Sequence, residues 1–225
     1  MLPLLPQARF RIYTTLNSYV QGFRALLSGR ASPSADLSLL EKALRERFSV
    51  EHAILVPQCR VGIYLALKNL IQPGQKVIMS PYTIVDVSNM VLLAGGRPDY
   101  VDVERHSCNI SADLVEKRLG ADTGAVLITH LHGMAAEADR IRTLCAKHGV
   151  PLLEDCAQAF GTREKGRLVG TFGQAGIFSF GMYKNVNTWL GGAILTDDSS
   201  LAEKIRSELT AFQASPRPML RIKLM

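Results

Sequence analysis

The sequence predicts an α/β protein in which helices cover both faces of a mainly parallel β-sheet. Between about residues 52 and 155, short apolar runs alternate with stretches of helical periodicity, which is the rhythm of β-α-β units. Such apolar runs suit strands that are buried on both faces of a parallel sheet. With 225 residues and a hydrophobic fraction of 47%, the chain can bury a substantial core.

Seven strands are predicted from short apolar runs, five before the Gly-rich stretch at 161–176 and two after it. They are HAILV (52–56), KVIMS (76–80), RPDYVDV (97–103), AVLIT (125–129), VPLLED (150–155), GIFSF (176–180) and GAILTD (192–197). The glycines between the fifth and sixth strands are interpreted as turn residues. No GxGxxG motif follows the first strand, which argues against a dinucleotide-binding fold.

Helices are predicted where apolar residues recur every three to four positions. These stretches are 11–27, 37–48, 60–71, 83–93, 111–119, 136–148 and 199–212. Ser34 or Asp36 is the expected cap of the second helix, because both side chains can accept a hydrogen bond from a first-turn N–H group.

Composition excludes several classes of protein. No apolar run reaches the roughly 18 to 20 residues that cross a bilayer, and the first residues lack a signal peptide's continuous apolar core, so we expect a cytoplasmic protein without a membrane partner. The net charge of +6 is spread along the chain, so it suits a phosphorylated small molecule at least as well as a nucleic acid, the least expected partner. The four cysteines lack zinc-site or disulfide spacing, and we expect reduced thiols and no metal.

Chemically useful side chains follow several strands at their carboxyl ends, where open α/β sheets bind ligands. Cys59 and Arg60 begin the helix after the first strand, Asp155 ends the fifth strand, Ser179 lies at the end of the sixth strand, and Lys184 follows it. An acid, an amine, a hydroxyl group and a helix N-terminus are therefore expected to converge.

Each of these residues also has an ordinary structural interpretation. Lys184 by itself is more often a solvated charge, Asp155 a helix cap or ion-pair partner, and Arg60 a surface residue at a strand-to-helix turn. Together they favour a different chemistry. A desolvated lysine can form a Schiff base with an aldehyde, a buried carboxylate can keep a heterocycle protonated, and a helix start with an arginine can bind phosphate.

Two histidines, His130 and His132, follow the fourth strand. They lack a third metal ligand at recognisable spacing, so hydrogen-bonded structural or pocket-wall roles are favoured. Gly191 and Gly192 are expected to permit close backbone packing beside Lys184.

The second half of the chain resembles the DegT/StrS-type sugar aminotransferases, which are pyridoxal-phosphate enzymes of fold type I. Its motifs EDCAQ, KGRLVGTFG, FSFGMYKN and GG follow one another in the family's order. Upstream, SPYTIVDVSNMVLLAGGRPDYVDV and ITHLHGMAAEADRI resemble further family segments, so that the resemblance covers about residues 36–212.

The resemblance implies roles for individual residues. Lys184 would form the Schiff base with pyridoxal 5'-phosphate and later move a proton between substrate and cofactor. Asp155 would pair with the pyridinium nitrogen, Gln158 would hydrogen-bond the phenolic oxygen, and Ser179 would bind the phosphate.

Two positions depart from the family's pattern. The family usually has Gly-Thr or Cys-Thr where Cys59 and Arg60 stand, so that a guanidinium replaces a phosphate-binding hydroxyl group. Ile84 stands where the family often places an aromatic ring over the cofactor, so only an aliphatic face is available there, with Tyr82 nearby.

The resemblance also implies an activity and a domain organisation. We expect transfer of an amino group from an amino acid, such as glutamate, to a keto sugar that is nucleotide-linked, by a homodimer. The expected segments are an N-terminal helical arm (1–35), a large domain that binds pyridoxal phosphate (36–212), and the start of a connection to an absent small domain, or a free tail (213–225).

Two other interpretations stay open. The chain is alternatively a truncated or degenerate family member with a regulatory role or no catalytic role, which the departure at Arg60 supports. A sugar dehydratase on the same scaffold is disfavoured, because those relatives place histidine where Lys184 stands.

Overall fold

The computed structural model describes residues 15–27 and 34–212. Its strands are β1 (His52–Val56), β2 (Lys76–Met79), β3 (Arg97–Tyr100), β4 (Thr123–Thr129), β5 (Leu152–Asp155), β6 (Arg163–Glu164), β7 (Arg167–Leu168), β8 (Ala175–Ser179) and β9 (Gly192–Thr196). Its α-helices are α1 (Leu16–Leu27), α2 (Ser34–Phe48), α3 (Cys59–Leu70), α4 (Val85–Leu93), α5 (Ala112–Arg118), α6 (Ala138–His148) and α7 (Ser199–Leu209).

Seven of the described strands form one sheet in the order β1-β9-β8-β5-β4-β2-β3. The strands from β8 to β3 in this order pair in parallel, whereas β9 is antiparallel to both of its neighbours. All seven predicted strands are present, and the predicted mainly parallel α/β fold is confirmed.

Helices cover both faces of this sheet. Helices α3, α4 and α7 pack on one face, where residues such as Ile63, Val91 and Ile205 are buried against the strands. Helices α2, α5 and α6 pack on the other face through residues such as Phe48 and Ile141. Strand side chains alternate between the two cores, as the period of two in a strand requires.

Several boundaries differ from the sequence-based expectation. Helix α4 begins at Val85, because Ile84 has extended backbone angles (φ −74°, ψ 146°). Helix α2 begins at Ser34, so Asp36 lies in its first turn rather than at its N-cap. Of the predicted N-terminal arm, α1 is described, whereas residues 1–14, 28–33 and the tail 213–225 lie outside the described residues.

The Gly-rich stretch also contains a short hairpin that the sequence analysis did not predict. Strands β6 and β7 pair antiparallel around a tip where Lys165 (φ 47°) and Gly166 (φ 86°) both have left-handed angles. Two consecutive positive φ values are typical of the tight turns that join antiparallel strands. None of the described helices is long and apolar enough to span a bilayer.

Candidate active site

A cavity of about 240 Å³ lies where β5 and β8 end and α3 begins. The residues that line it are Gln58, Cys59, Arg60, Ile63, Ile84, Val87, Asp155, Ala157, Ser179, Gly181, Lys184, Leu190 and Gly191. Six of the seven predicted site residues are therefore brought together around one space, and Gln158 is the exception.

Asp155 supplies a buried carboxyl group to this cavity. It ends β5 with only 4% of its surface exposed, and its Oδ1 accepts a hydrogen bond from the N–H group of Ala157 at 3.0 Å. Burial raises the pKa of this carboxyl group above its ordinary value, while the Ala157 N–H group and then the charge of Lys184 oppose the rise. A further positive charge in the cavity would favour its ionised form.

Lys184 supplies an amine from the loop after β8. The residue is half-buried, and its backbone N–H group donates to the carbonyl oxygen of Gly181 at 3.0 Å. No carboxylate of the described residues lies within ion-pairing distance of its Nζ atom, although its charge lowers the pKa values of Asp155 and Cys59. The amine is thus held at the cavity without a paired acid.

Close backbone packing at Gly192 positions this side of the cavity. A Cβ atom on Gly192 would lie 2.5 Å from the carbonyl oxygen of Phe178 and 2.9 Å from the amide nitrogen of Cys59. Gly191 has a φ of +116°, which side chains rarely allow. The predicted role of the Gly-Gly pair is confirmed, since the pair lets the start of α3 approach the end of β8.

The N-terminus of α3 faces the cavity. Its N-cap residue, Gln58, is extended (φ −155°, ψ 151°) and makes no side-chain capping hydrogen bond. The first-turn N–H groups of a helix carry partial positive charge and bind anions readily.

Cys59, which follows Gln58, also lines the cavity. Burial and then the charge of Asp155 raise the pKa of the Cys59 thiol, which is therefore protonated at neutral pH. Ser179, opposite, accepts a hydrogen bond from the Gly181 N–H group at 3.4 Å.

Arg60 lines the cavity from the first turn of α3 but is engaged by an acid that sequence reasoning missed. Its Nη1 atom lies 2.5 Å from Oδ2 of Asp86, in the first turn of α4. The two side chains are 46% and 35% exposed. No sequence pattern indicates this pair, because its members belong to different helices and are 26 positions apart.

Ile84 places an aliphatic surface at the cavity, with 63% of the residue exposed. Tyr82 is absent from the lining, and its ring lies 6.0 Å from that of His132. In this structure, therefore, the tyrosine does not replace the aromatic face that the family often has.

Gln158 lies outside the cavity lining. Its Oε1 atom accepts a hydrogen bond from the backbone N–H group of His132 at 3.0 Å, which ties it to the loop after β4. Its role toward a cofactor stays a prediction.

Glu154, next to Asp155, is fully buried and organises the surrounding loops. Its carboxylate accepts hydrogen bonds from three backbone N–H groups, those of Gly170, Phe172 and Gly173, at 2.6–2.9 Å. A buried carboxylate with this many donors is well stabilised. Glu154 belongs to the predicted strand VPLLED (150–155), but no sequence pattern indicates its hydrogen bonds to these loops.

His130 completes this network. Its Nδ1 atom accepts from the N–H group of Ala136, so its Nε2 atom carries the proton and donates to Glu154 at 3.0 Å. With Cys156, these side chains place ligand-type atoms within 4.8 Å of one another. Because both ring nitrogens and both carboxylate oxygens already have hydrogen-bond partners, the group is structural, and the predicted role of His130 is confirmed.

The mainly parallel sheet, with a lysine, a buried carboxyl group and an uncapped helix start at one cavity, agrees with the expected large domain of a fold type I aminotransferase. Residues 21–216 match the model of the DegT/DnrJ/EryC1/StrS aminotransferase family. The chain belongs to this family, as its motifs predicted.

Individual relatives agree with this assignment. The spore coat polysaccharide biosynthesis protein SpsC of Bacillus subtilis (strain 168) is 36% identical over 182 residues, which are 80% of this chain and 47% of SpsC. Helicobacter pylori PseC, an aminotransferase involved in the biosynthesis of pseudoaminic acid, has a TM-score of 0.72 and 30% identity, with 75% of this chain and 46% of PseC covered.

A third relative is DesI, whose structure was determined in the presence of its TDP-sugar product. It has a TM-score of 0.76 and 30% identity, with 88% of this chain and 50% of DesI covered. The chain thus spans about half the length of these relatives.

Proposed function

We propose that the chain binds pyridoxal phosphate as part of an aminotransferase that acts on a keto sugar. The observation that carries the proposal is the convergence of the Lys184 amine and the buried Asp155 carboxyl group on one cavity at the uncapped start of α3. Membership of the family supports it, as does the similarity to SpsC, a polysaccharide biosynthesis protein, and to PseC, an aminotransferase involved in the biosynthesis of pseudoaminic acid.

The donor set fits this cofactor. An aldehyde requires an amine, which Lys184 offers, and a pyridine nitrogen requires an acid, which Asp155 offers. A phosphate requires hydrogen-bond donors and positive charge, which the N–H groups at the start of α3, the Ser179 hydroxyl group and Arg60 offer. The cavity of about 240 Å³ is slightly smaller than the roughly 300–1,000 Å³ of drug-sized ligand sites, as suits a single ring with a phosphate.

The bound cofactor would supply an electron sink for the carbanion that forms when a proton leaves the amino-acid donor. Nζ of Lys184 would hold the aldehyde carbon of the cofactor and would also serve as the base that accepts and returns the proton of the donor. Asp155 would hold a proton on the ring nitrogen by charge pairing. Ile84 and Val87 would exclude water from one side of the cavity with apolar surface.

The finer features of the proposal are glutamate as donor, a nucleotide-linked sugar as acceptor, a homodimer and a cytoplasmic location. The net charge of +6 and the TDP-sugar product of DesI support a diphosphate-bearing acceptor. All four cysteines are unpaired thiols, which suits a reducing compartment.

Reductive trapping tests the proposal. The purified chain is incubated with pyridoxal phosphate and then with borohydride, and the modified peptide is identified by mass spectrometry. We expect a visible absorbance band that reduction abolishes, and a pyridoxyl group on Lys184. The variant Lys184→Ala should give neither, whereas Lys165→Ala, at the tip of the β6–β7 hairpin, should behave as the unaltered chain.

A chain without the band, or with modification spread over surface lysines, would contradict the proposal. Addition of glutamate to the loaded chain separates catalysis from simple binding. Loss of the visible band with formation of 2-oxoglutarate is expected of an aminotransferase. A loaded chain that leaves glutamate unchanged would instead support the regulatory or non-catalytic interpretation.

A further inference from the structure

The ion pair between Arg60 and Asp86 sits at the edge of the cavity and involves an arginine where the family usually has threonine. Arg60 lines the cavity, whereas Asp86 does not. Only Nη1 of the guanidinium donates to Asp86. A guanidinium has five N–H donors, so the remaining ones are available for a second acceptor.

The charges at this edge favour an anion. Arg60 and Lys184 are the two cations among the lining residues, and Asp155 is the only carboxyl group among them. The uncapped N-terminus of α3 adds partial positive charge. Asp86 offsets the charge of Arg60 from outside the lining, and it also lies in the first turn of α4, where the helix dipole favours a carboxylate.

The pair is also easy to exchange. Both side chains are more than one third exposed, and ion pairs of this kind contribute little to stability because water screens them. A phosphate dianion carries more charge than a carboxylate and presents several acceptor oxygens, so it is the stronger partner for a guanidinium fork. The same phosphate would be repelled by the nearby carboxylate of Asp86.

We propose that Asp86 is an exchangeable counter-ion of Arg60. The carboxylate holds the guanidinium at the edge of the cavity while no anion is bound, and the phosphate of an incoming ligand then takes its place. Asp86 thereby lowers the affinity of the cavity for phosphate-bearing ligands. This inference rests on the proposed function, because pyridoxal phosphate is the ligand considered.

Equilibrium binding of two aldehydes tests the inference. Dissociation constants of pyridoxal phosphate and of pyridoxal, which lacks the phosphate, are measured from the visible band for the full chain and its variants. For Asp86→Asn we expect pyridoxal phosphate to bind about twofold to fivefold more tightly, since screened pairs of this kind are weak. Binding of pyridoxal should not change.

Variants of Arg60 complete a double-mutant cycle with Asp86→Asn. Arg60→Met should weaken the binding of pyridoxal phosphate by about tenfold or more, because charge-assisted hydrogen bonds are lost. In the Arg60→Met background, Asp86→Asn should have a smaller effect than in the unaltered chain, since only the direct repulsion between the carboxylate and the phosphate is then left to remove. Asp113→Asn is the matched control, because Asp113 forms a similar exposed pair with Arg140 on other helices.

The outcomes separate the two proposals. If the unaltered chain binds both aldehydes at Lys184 but Asp86→Asn leaves the affinity for pyridoxal phosphate unchanged or lowers it, the counter-ion inference is wrong and the proposed function stands. If neither aldehyde forms the band, the proposed function and this inference fail together. Asp86→Ala and a thermal melt of each variant distinguish a binding effect from a folding defect.

Discussion

Asp155 lines the cavity, and the burial of its carboxyl group lowers the stability of the fold when this group is ionised. Its carboxyl group is buried, and one hydrogen bond from Ala157 is the strongest influence that favours ionisation. Burial outweighs that bond and raises the pKa. A raised pKa means that the folded chain binds this proton more tightly than the unfolded chain does.

The sign of the pH dependence follows from this shift. The contribution of Asp155 to stability is fully present below its unfolded pKa of about 3.9, and it is lost as the pH rises through the higher folded value. Asp155→Asn removes the ionisation and keeps an acceptor for the Ala157 N–H group. The variant should therefore unfold at higher urea than the parent at about pH 8, with a gap that closes toward about pH 4.

Urea unfolding at several pH values, without cofactor, checks this expectation. A gap that is constant across the pH range would show that the effect is not due to ionisation. Addition of pyridoxal phosphate should reverse the order of stability at high pH, because a ring cation would pair with the carboxylate of the parent alone.

Single residues differ in how far the sequence could predict them. Asp155, Ser179 and Lys184 were found because each lies at or just after the end of a strand, and strand ends meet at one edge of a parallel sheet. Asp86 was missed because its contact with Arg60 depends on how two helices lie side by side.

At the scale of elements, the junction of β8, β9 and α3 fixes the geometry of the cavity. Strand β9 runs antiparallel beside β8, and the start of α3 packs against both through Gly192. Because the backbone atoms nearest to Gly192 belong to β8 and α3, an added methyl group cannot be accommodated by turning a side chain.

Gly192→Ala should therefore destabilise the chain by about 1–3 kcal/mol, the usual range for an overpacked site. It should also weaken the binding of pyridoxal phosphate, since the start of α3 must move. Urea unfolding and the visible band measure the two effects. Gly22→Ala in α1 is the control, because among the described residues no atom outside its own helix backbone lies within 4 Å of the added Cβ atom, and it should be neutral or slightly stabilising.

An unchanged free energy of unfolding in Gly192→Ala would mean that the backbone relaxes at no cost and that the junction is not rigid.

The close packing at the glycine pair and the seven strands of the main sheet were predicted from the sequence. The β6–β7 hairpin could not be predicted, because strands of two residues show no periodicity. The Lys-Gly tip of this hairpin also lacks the asparagine or aspartate of the strongest turn signals.

At the scale of the whole molecule, the cavity opens beside exposed apolar side chains. Ile84 and Val85 at the start of α4 are 63% and 71% exposed, and Tyr183 and Leu190 are exposed beside Lys184. Exposed apolar groups that cluster around a ligand site are typical of protein interaction surfaces. This surface supports the proposed homodimer.

Val85→Lys should weaken self-association about tenfold, because roughly 1.5 kcal/mol of apolar burial is lost. Sedimentation at several concentrations measures the dissociation constant. Leu39→Lys is the control, since Leu39 is similarly exposed on α2, across the sheet from α4. Equal effects of both substitutions, or a monomer at every concentration, would contradict a dimer formed through the cavity face.

The overall architecture was predictable because short apolar runs typical of strands alternate regularly along the chain with stretches of helical periodicity. Which exposed faces are covered by another copy of the chain could not be predicted. The same sequence pattern occurs on a surface that stays in water and on a surface that a second copy covers. Only the position of Ile84 and Val85 beside the cavity distinguishes the two.

The two acids at the end of β5, Glu154 and Asp155, also limit which insertions and deletions this strand can accept during evolution. Glu154 points toward the core beneath α2, α5 and α6, and Asp155 points toward α3, because neighbouring residues of a strand face opposite ways. An insertion or deletion of one residue within β5 would exchange them, placing the acid that anchors three loop amides in the cavity and the other acid in the core. The strand can therefore vary in sequence far more readily than in length.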